Sequence, residues 1–178
     1  MKNVVIISSS PRKDGNTESL CKEFYRGSES MGHHVELICL RDYNLKYCLG
    51  CYSCTKLGRC IHKDGMDEIS EKLLKADVIV LSTPVYFYSM SGQLKVFIDR
   101  LVPYYSKIKA DIYLIGTMFD IEQEMMDSTF EAIRGATRDC FVNCKEKGVI
   151  YGLGLYNKDD VLKREDLKAK AYAMGMSV

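Results

Sequence analysis

The chain has no apolar run that approaches the roughly 20 residues needed to cross a bilayer, which argues against a transmembrane helix. It has no long block of like charge, and its formal net charge is only +1. The electrostatic footprint of a nucleic-acid or anionic-membrane binder is therefore missing. Internal repeats and low-complexity linkers are also absent, so its 178 residues read most simply as one domain, 1–178. The N-terminus carries no signal-peptide pattern. After Lys2 the only apolar run is Val4–Ile7, of strand length, before serines begin. Two phosphate-binding fingerprints are missing as well. Without G-x-x-x-x-G-K-[ST] the chain does not read as a nucleoside-triphosphate P-loop protein, and without G-x-G-x-x-G after the first strand it lacks the dinucleotide motif.

What is present starts with cysteine. There are eight, and without an export signal they imply a reducing, cytoplasmic setting in which thiols serve metals or redox chemistry. Cys48, Cys51, Cys54 and Cys60 crowd into one short segment, separated by two, two and five residues. Four thiolates so close together suit a single metal centre, and spacing leaves an iron–sulfur cluster and a structural zinc equally open. Disulfides would close very small loops. Cys21, Cys39, Cys140 and Cys144 fall in predicted helices or strands and read as buried thiols; the last two stand one helical turn apart.

Hydrophobic residues make up 47% of the chain and charged residues 28%, enough for a core inside a polar surface. Apolar strand runs alternate with helix-period segments throughout. Strands are predicted at 2–9, 34–40, 77–82, 112–117 and 149–155. The helices between them carry Leu20, Phe24, Ser28 and Met31, then Met66, Ile69, Leu73 and Leu74, then Leu94, Phe97, Ile98 and Leu101. A long, mostly helical stretch is expected over 121–146, with an irregularity near Gly135, and a closing helix over 160–174. This alternation predicts a parallel, doubly wound α/β sheet. One connection, 41–65, exceeds the ~12–15 residues usual for an unstructured loop. It holds all four clustered cysteines.

Between the first strand and first helix runs Ser8–Thr17. A strand feeding a helix N-terminus presents free amides and a positive dipole end to one spot. Ser8, Ser10, Asn16 and Thr17 add neutral donors, Arg12 adds a charge, and Gly15 frees the backbone. Such a loop suits the terminal phosphate of FMN; the alternative is an ordinary loop with Thr17 capping the helix. After the third strand, Pro84, Val85, Tyr86, Phe87 and Tyr88 offer flat surfaces for a flavin ring, with Phe87 the one expected to fill core instead. Residues 116–120 form a third wall, in which Asp120 caps the next helix. Asp99–Arg100 reads as a solvated helix face, and His33, His34 and His62 as surface residues.

The loop Ser10-Pro-Arg-Lys-Asp-Gly-Asn-Thr17, the cysteine cluster followed by Asp64-Gly-Met66, the run Thr83–Lys95 and Phe97-Ile-Asp-Arg100 together resemble one group. It is the NADPH-dependent FMN reductase-like family of flavodoxin-fold proteins, in its iron–sulfur flavoprotein branch. The resemblance spans essentially the whole chain. It implies a flavodoxin-like three-layer sandwich with a five-stranded parallel sheet ordered 2-1-3-4-5 and a cysteine-rich insertion at about 41–65. It implies FMN, with phosphate contacts from Ser8, Ser10, Arg12, Asn16 and Thr17 and ring contacts from Pro84–Tyr88. It implies a [4Fe–4S] cluster on Cys48, Cys51, Cys54 and Cys60. The activity implied is hydride transfer from NADH or NADPH to the flavin, then onward transfer to a small-molecule or protein electron acceptor. The competing expectations are a non-enzymatic flavin electron carrier and a zinc or thiol redox sensor. The apolar aromatic loop and cysteine segment look too large to stay exposed, so a homodimer or homotetramer is expected, with no nucleic-acid or membrane partner.

Overall fold

Residues that are apolar at every position of a strand require cover on both faces, and the sheet supplies it. In a computed structural model describing residues 1–178, strands β1 (Asn3–Ser8), β2 (His34–Cys39), β3 (Val78–Tyr86), β5 (Asp111–Thr117) and β6 (Lys145–Gly152) form a parallel sheet ordered β2-β1-β3-β5-β6. A short strand, β4 (Ser89–Met90), turns back antiparallel onto the end of β3. Apart from this two-residue strand, the sheet has the expected order and flavodoxin-like architecture.

The pleat sends alternate residues of β1, β3 and β5 to opposite faces. Val5, Ile7, Ile79, Leu81, Ile112 and Leu114 enter a core shared with α3 (Met66–Lys75), α4 (Gly92–Asp99) and α5 (Glu124–Thr137). Val4, Ile6, Val78, Val80, Tyr113 and Ile115 enter the other, shared with α1 (Asn16–Ser30) and α6 (Glu165–Met176). Each large apolar side chain so buried contributes roughly 1.5–3 kcal/mol. Helices α1 and α6 meet through glycine. A Cβ on Gly27 would lie 2.0 Å from the Tyr172 carbonyl, and one on Gly175 2.2 Å from that of Phe24.

Three expectations need correction. Helix α5 ends at Thr137 rather than running to 146, because the Arg134 carbonyl accepts from Arg138 and Asp139 and that of Ala136 from Cys140 and Phe141, closing the helix. Phe141 then folds into the core. Cys140 is therefore an exposed turn residue and Cys144 is half-buried, not a helical pair of buried thiols. Strand β6 begins at Lys145, four residues early, as an edge strand whose first turns are charged and carry no apolar signal. Finally, Asp160–Lys163 is a separate single 3-10 turn, and α6 proper starts at Glu165.

Candidate flavin cleft and cysteine segment

The carboxyl ends of β1, β3, β5 and β6 open on one cleft of about 220 Å³. The loop after β1 supplies Ser10, Arg12, Asn16 and Thr17, and the end of β3 supplies Pro84, Val85 and Tyr86. Thr117, Met118 and Phe119 come from the end of β5, Leu155 and Tyr156 from beyond β6. Arg12 is the only side chain of the lining with a full charge.

The first turn of α1 forms one end of this cleft. Its N-cap is Gly15, and no side chain caps the helix, so Thr17 is not the cap. By helix geometry the amides of residues 16–18 have no intrahelical acceptor, which leaves them for an anion. Gly15 has an ordinary φ of −81°, so its value is closeness rather than conformational freedom: a Cβ there would stand 3.0 Å from that of Arg12. The left-handed residue of the loop is Asp14.

Side chains lock the walls to one another. The hydroxyls of Thr17 and Thr117 are 2.6 Å apart and buried, joining α1 to β5. Asn16 donates to the Asn157 carbonyl at 2.7 Å and accepts from the Val161 amide at 3.0 Å, so its amide group ties the last loop down. Arg12 reaches the Tyr156 carbonyl, and Ser10 bonds the Arg12 backbone. Beneath them Ser9 donates to the Ser82 carbonyl, and Ser91 donates to Ser9 while capping α4 at Leu94. Ser8 lies outside the cleft, with its hydroxyl buried and unpartnered.

Glu18, also in the first turn of α1, is buried. Burial would raise its carboxyl, but hydrogen bonds from Arg41 and Lys22 and from the Asp14 amide hold it below the usual 4.5.

The ring wall is a two-residue hairpin. Val85 pairs with Met90 and Tyr86 with Ser89, leaving Phe87 and Tyr88 at the tip with φ of 49° and 56°. Such turns favour Asn and Gly, because left-handed backbone is costly for bulky residues. Phe87 is fully exposed, not core, and Tyr88 is held by Ser128 Oγ donating to its carbonyl at 2.7 Å. Of the expected ring residues, Pro84, Val85 and Tyr86 line the cleft while Phe87 and Tyr88 stand beyond it. Opposite, Phe119 and Tyr156 meet edge to face, 5.2 Å between ring centres. Thr117 and Phe119 belong to the expected third wall, whereas Tyr156 was not singled out from sequence; the apolar stretch after the last strand was the available signal. Neutral donors, an uncapped helix start and aromatic walls together fit a phosphate-tailed planar cofactor. Asp120 accepts from the Glu122 amide in a local turn, four residues before α5 proper, and so does not cap that helix.

The cysteine segment includes one short helix, α2 (Ser53–Leu57), entered at Tyr52 and left at Gly58, both left-handed. Cys48 and Cys51 are exposed, Cys54 and Cys60 half-buried, and no disulfide links them. No three Cys, His, Asp or Glu side chains converge in metal-ligating geometry. The donor chemistry nevertheless fits a thiolate centre. The Gly50 amide points at Cys48 Sγ, 3.5 Å away, and hydrogen bonds from the Ser53 hydroxyl and amide bring the Cys51 thiol below its ordinary value.

Arg100, expected on a solvated face, is instead the largest fully buried side chain, paired with Asp64. It sits three residues after Phe97, on the apolar face, which was the overlooked signal. Asp99 does face solvent, paired with Lys95. His62 is not a free surface residue either, since its Nε2 is buried and unpartnered, and His33 bridges the Lys2 amide and Val178. A second, apolar groove of about 650 Å³ lies between Cys48, the end of α4 and Phe141.

Residues 2–117 match the family model for NADPH-dependent FMN reductase. The chain is 36% identical over 104 residues to an iron–sulfur flavoprotein of Archaeoglobus fulgidus, covering 58% of this chain and 47% of that protein. It is 43% identical over 100 residues to an iron–sulfur flavoprotein of Methanocaldococcus jannaschii, covering 56% of this chain and 52% of that protein. The chain thus spans about half the length of these relatives. An NAD(P)H:quinone oxidoreductase from Methanothermobacter marburgensis superposes with a TM-score of 0.76 at 16% identity, over 99% of this chain and 95% of that one, which shows a shared fold. With its flavodoxin-like sheet and a match over the larger part of its length, the chain belongs to the NADPH-dependent FMN reductase family.

Proposed function

We propose that the protein is an FMN-dependent NAD(P)H oxidoreductase that passes electrons on through a centre held by Cys48, Cys51, Cys54 and Cys60. The observation that carries this reading is the uncapped start of α1 at one end of a cleft whose far rim is aromatic. Phosphate would take the free amides at 16–18, with Thr17, Ser10 and Arg12 around it. Pro84, Val85 and Tyr86 would flank the ring on one side and Phe119 and Tyr156 on the other. Bound there, FMN would supply the redox chemistry, taking up a hydride and giving up electrons one at a time. Arg12 being the only charged side chain in the cleft, the protein's part is to bind, orient and exclude water rather than to move a proton.

The four thiols would hold a [4Fe–4S] cluster, which exchanges one electron at a time. The names of the archaeal relatives support iron over zinc. The acceptor is a small molecule or a protein, and the setting cytoplasmic. Fully exposed Phe87 and the apolar groove beside Cys48 support a homodimer or homotetramer, which light scattering tests.

Anaerobic purification with a visible spectrum and metal analysis tests the whole reading. It expects yellow-brown protein with stoichiometric FMN, iron and sulfide, bleached by NADH or NADPH. Colourless protein that ignores added FMN overturns it. Flavin that neither nicotinamide bleaches makes the protein a carrier, and zinc without iron makes the segment a structural or sensing site.

A further inference from the structure

The Arg100 guanidinium has no exposed surface, and four of its five N–H donors lie on the two terminal nitrogens. Nη1 donates to Asp64 Oδ2 at 2.8 Å and to the Lys46 carbonyl; Nη2 donates to Asp64 Oδ1 at 3.0 Å. The Lys46 amide donates to the same carboxylate at 2.7 Å. Lys46 lies two residues before Cys48, and Asp64 four after Cys60. One guanidinium therefore fastens both ends of the thiol segment to the end of α4.

Both terminal nitrogens are thus partnered, and Nε breaks the pattern. Arg100 Nε is buried and has no acceptor. Buried donors are nearly always satisfied, so an orphan needs an explanation. Cys60, half-buried and four residues before Asp64, is the clustered thiol nearest in sequence to the carboxylate that this guanidinium grips, and its charge is the next after that of Asp64 to favour the cation. A thiol is a weak acceptor, whereas a metal-bound thiolate accepts N–H donors, and such bonds help to set a cluster's potential. Lysine, a point charge without the planar fork, cannot make all these bonds at once.

We infer that Arg100 is a positioning residue for the thiolate centre, its Nε–H donating to Cys60 Sγ once that sulfur binds metal while its other nitrogens close the segment. The inference rests on the cysteine part of the function proposed above. It extends that reading by giving the buried cation a partner in the loaded state.

Wild-type protein, 15N-labelled and loaded with 113Cd, tests this directly. Scalar coupling between cadmium and the Arg100 Nε–H is the expected result; a loaded protein without that coupling overturns the inference. In iron-loaded protein, Arg100→Lys should lower the midpoint potential of the centre and speed its loss, with FMN content unchanged. An unchanged potential also overturns it. Should that variant fail to fold, the cadmium measurement on the wild type decides. Wild-type protein that takes up neither cadmium nor iron overturns the cysteine reading itself, a failure distinct from loaded protein without coupling.

Discussion

Thr17 and Thr117, one hundred residues apart in sequence, share a buried hydroxyl–hydroxyl hydrogen bond of 2.6 Å that joins the first turn of α1 to the end of β5. Removing one hydroxyl strands the other in the interior, at about 1–3 kcal/mol, whereas removing both can be nearly neutral. Thr117→Val should therefore lower stability by about that amount, and the double variant Thr17→Val/Thr117→Val by less than the sum of the singles. Urea denaturation of the four proteins closes the cycle. Strict additivity would mean that the two hydroxyls are not coupled.

The hairpin tip trades stability for shape. Phe87 and Tyr88 both hold left-handed backbone, at roughly 1–3 kcal/mol each. Phe87→Asn and Tyr88→Gly should raise the melting temperature, since these residues suit such a turn. The same changes remove two aromatic surfaces beside the cleft, so FMN should bind more weakly. Fluorescence titration together with thermal melts reads both effects; a hairpin variant that gained stability at full flavin affinity would deprive the tip of a binding role.

The contact of α1 with α6 tolerates no side chain. A Cβ at Gly27 would meet backbone atoms of Tyr172, which cannot swing aside as a flexible side chain can. Gly27→Ala and Gly175→Ala should each cost about 1–3 kcal/mol by overpacking, despite alanine's better helix propensity. The loss should appear as faster hydrogen exchange across α6.

Acid should loosen the base of the cleft. Burial pushes the Glu18 carboxyl up, but Arg41 and Lys22 outweigh it, and the folded value lies below the ordinary 4.5. A depressed carboxyl stabilises fully above its unfolded value. That contribution is lost as pH falls below 4.5 through the folded one. Stability of the wild type should decline over that window, and Glu18→Gln should flatten the decline while costing about 1–3 kcal/mol at neutral pH. Melting curves from pH 3 to 7 compare the two.

Much of this was legible in the chain because burial writes itself into composition. Strands β1, β3 and β5 are covered on both faces and read as unbroken apolar runs, so the parallel sheet followed, while its strand order came from the family resemblance. Strand β6 lies at the edge, and its charged start at Lys145–Lys147 gave no such signal. The hairpin hid because Phe87 and Tyr88 violate the residue preferences of the turn they make. In the cleft, the α1 loop was visible as a motif, but what Asn16 bonds depended on a loop 141 to 145 residues away. Arg100 was missed because an arginine on an apolar helix face has meaning only when its carboxylate is known.

The eight cysteines should separate by reactivity in metal-free protein. Burial raises Cys21 to about 12, with the bond to Ser82 only partly offsetting it, so this thiol stays protonated and shielded. Cys51 is exposed, and hydrogen bonds from the Ser53 hydroxyl and amide favour its thiolate. Since the thiolate is the nucleophile, iodoacetamide at pH 8 should modify Cys51 early and Cys21 only after unfolding. Loading with iron or cadmium should then protect Cys48, Cys51, Cys54 and Cys60 together while Cys140, exposed in its turn, still reacts. Peptide mass spectrometry follows each site. Protection of fewer than four of the clustered thiols in fully loaded protein would show that the centre is not theirs alone.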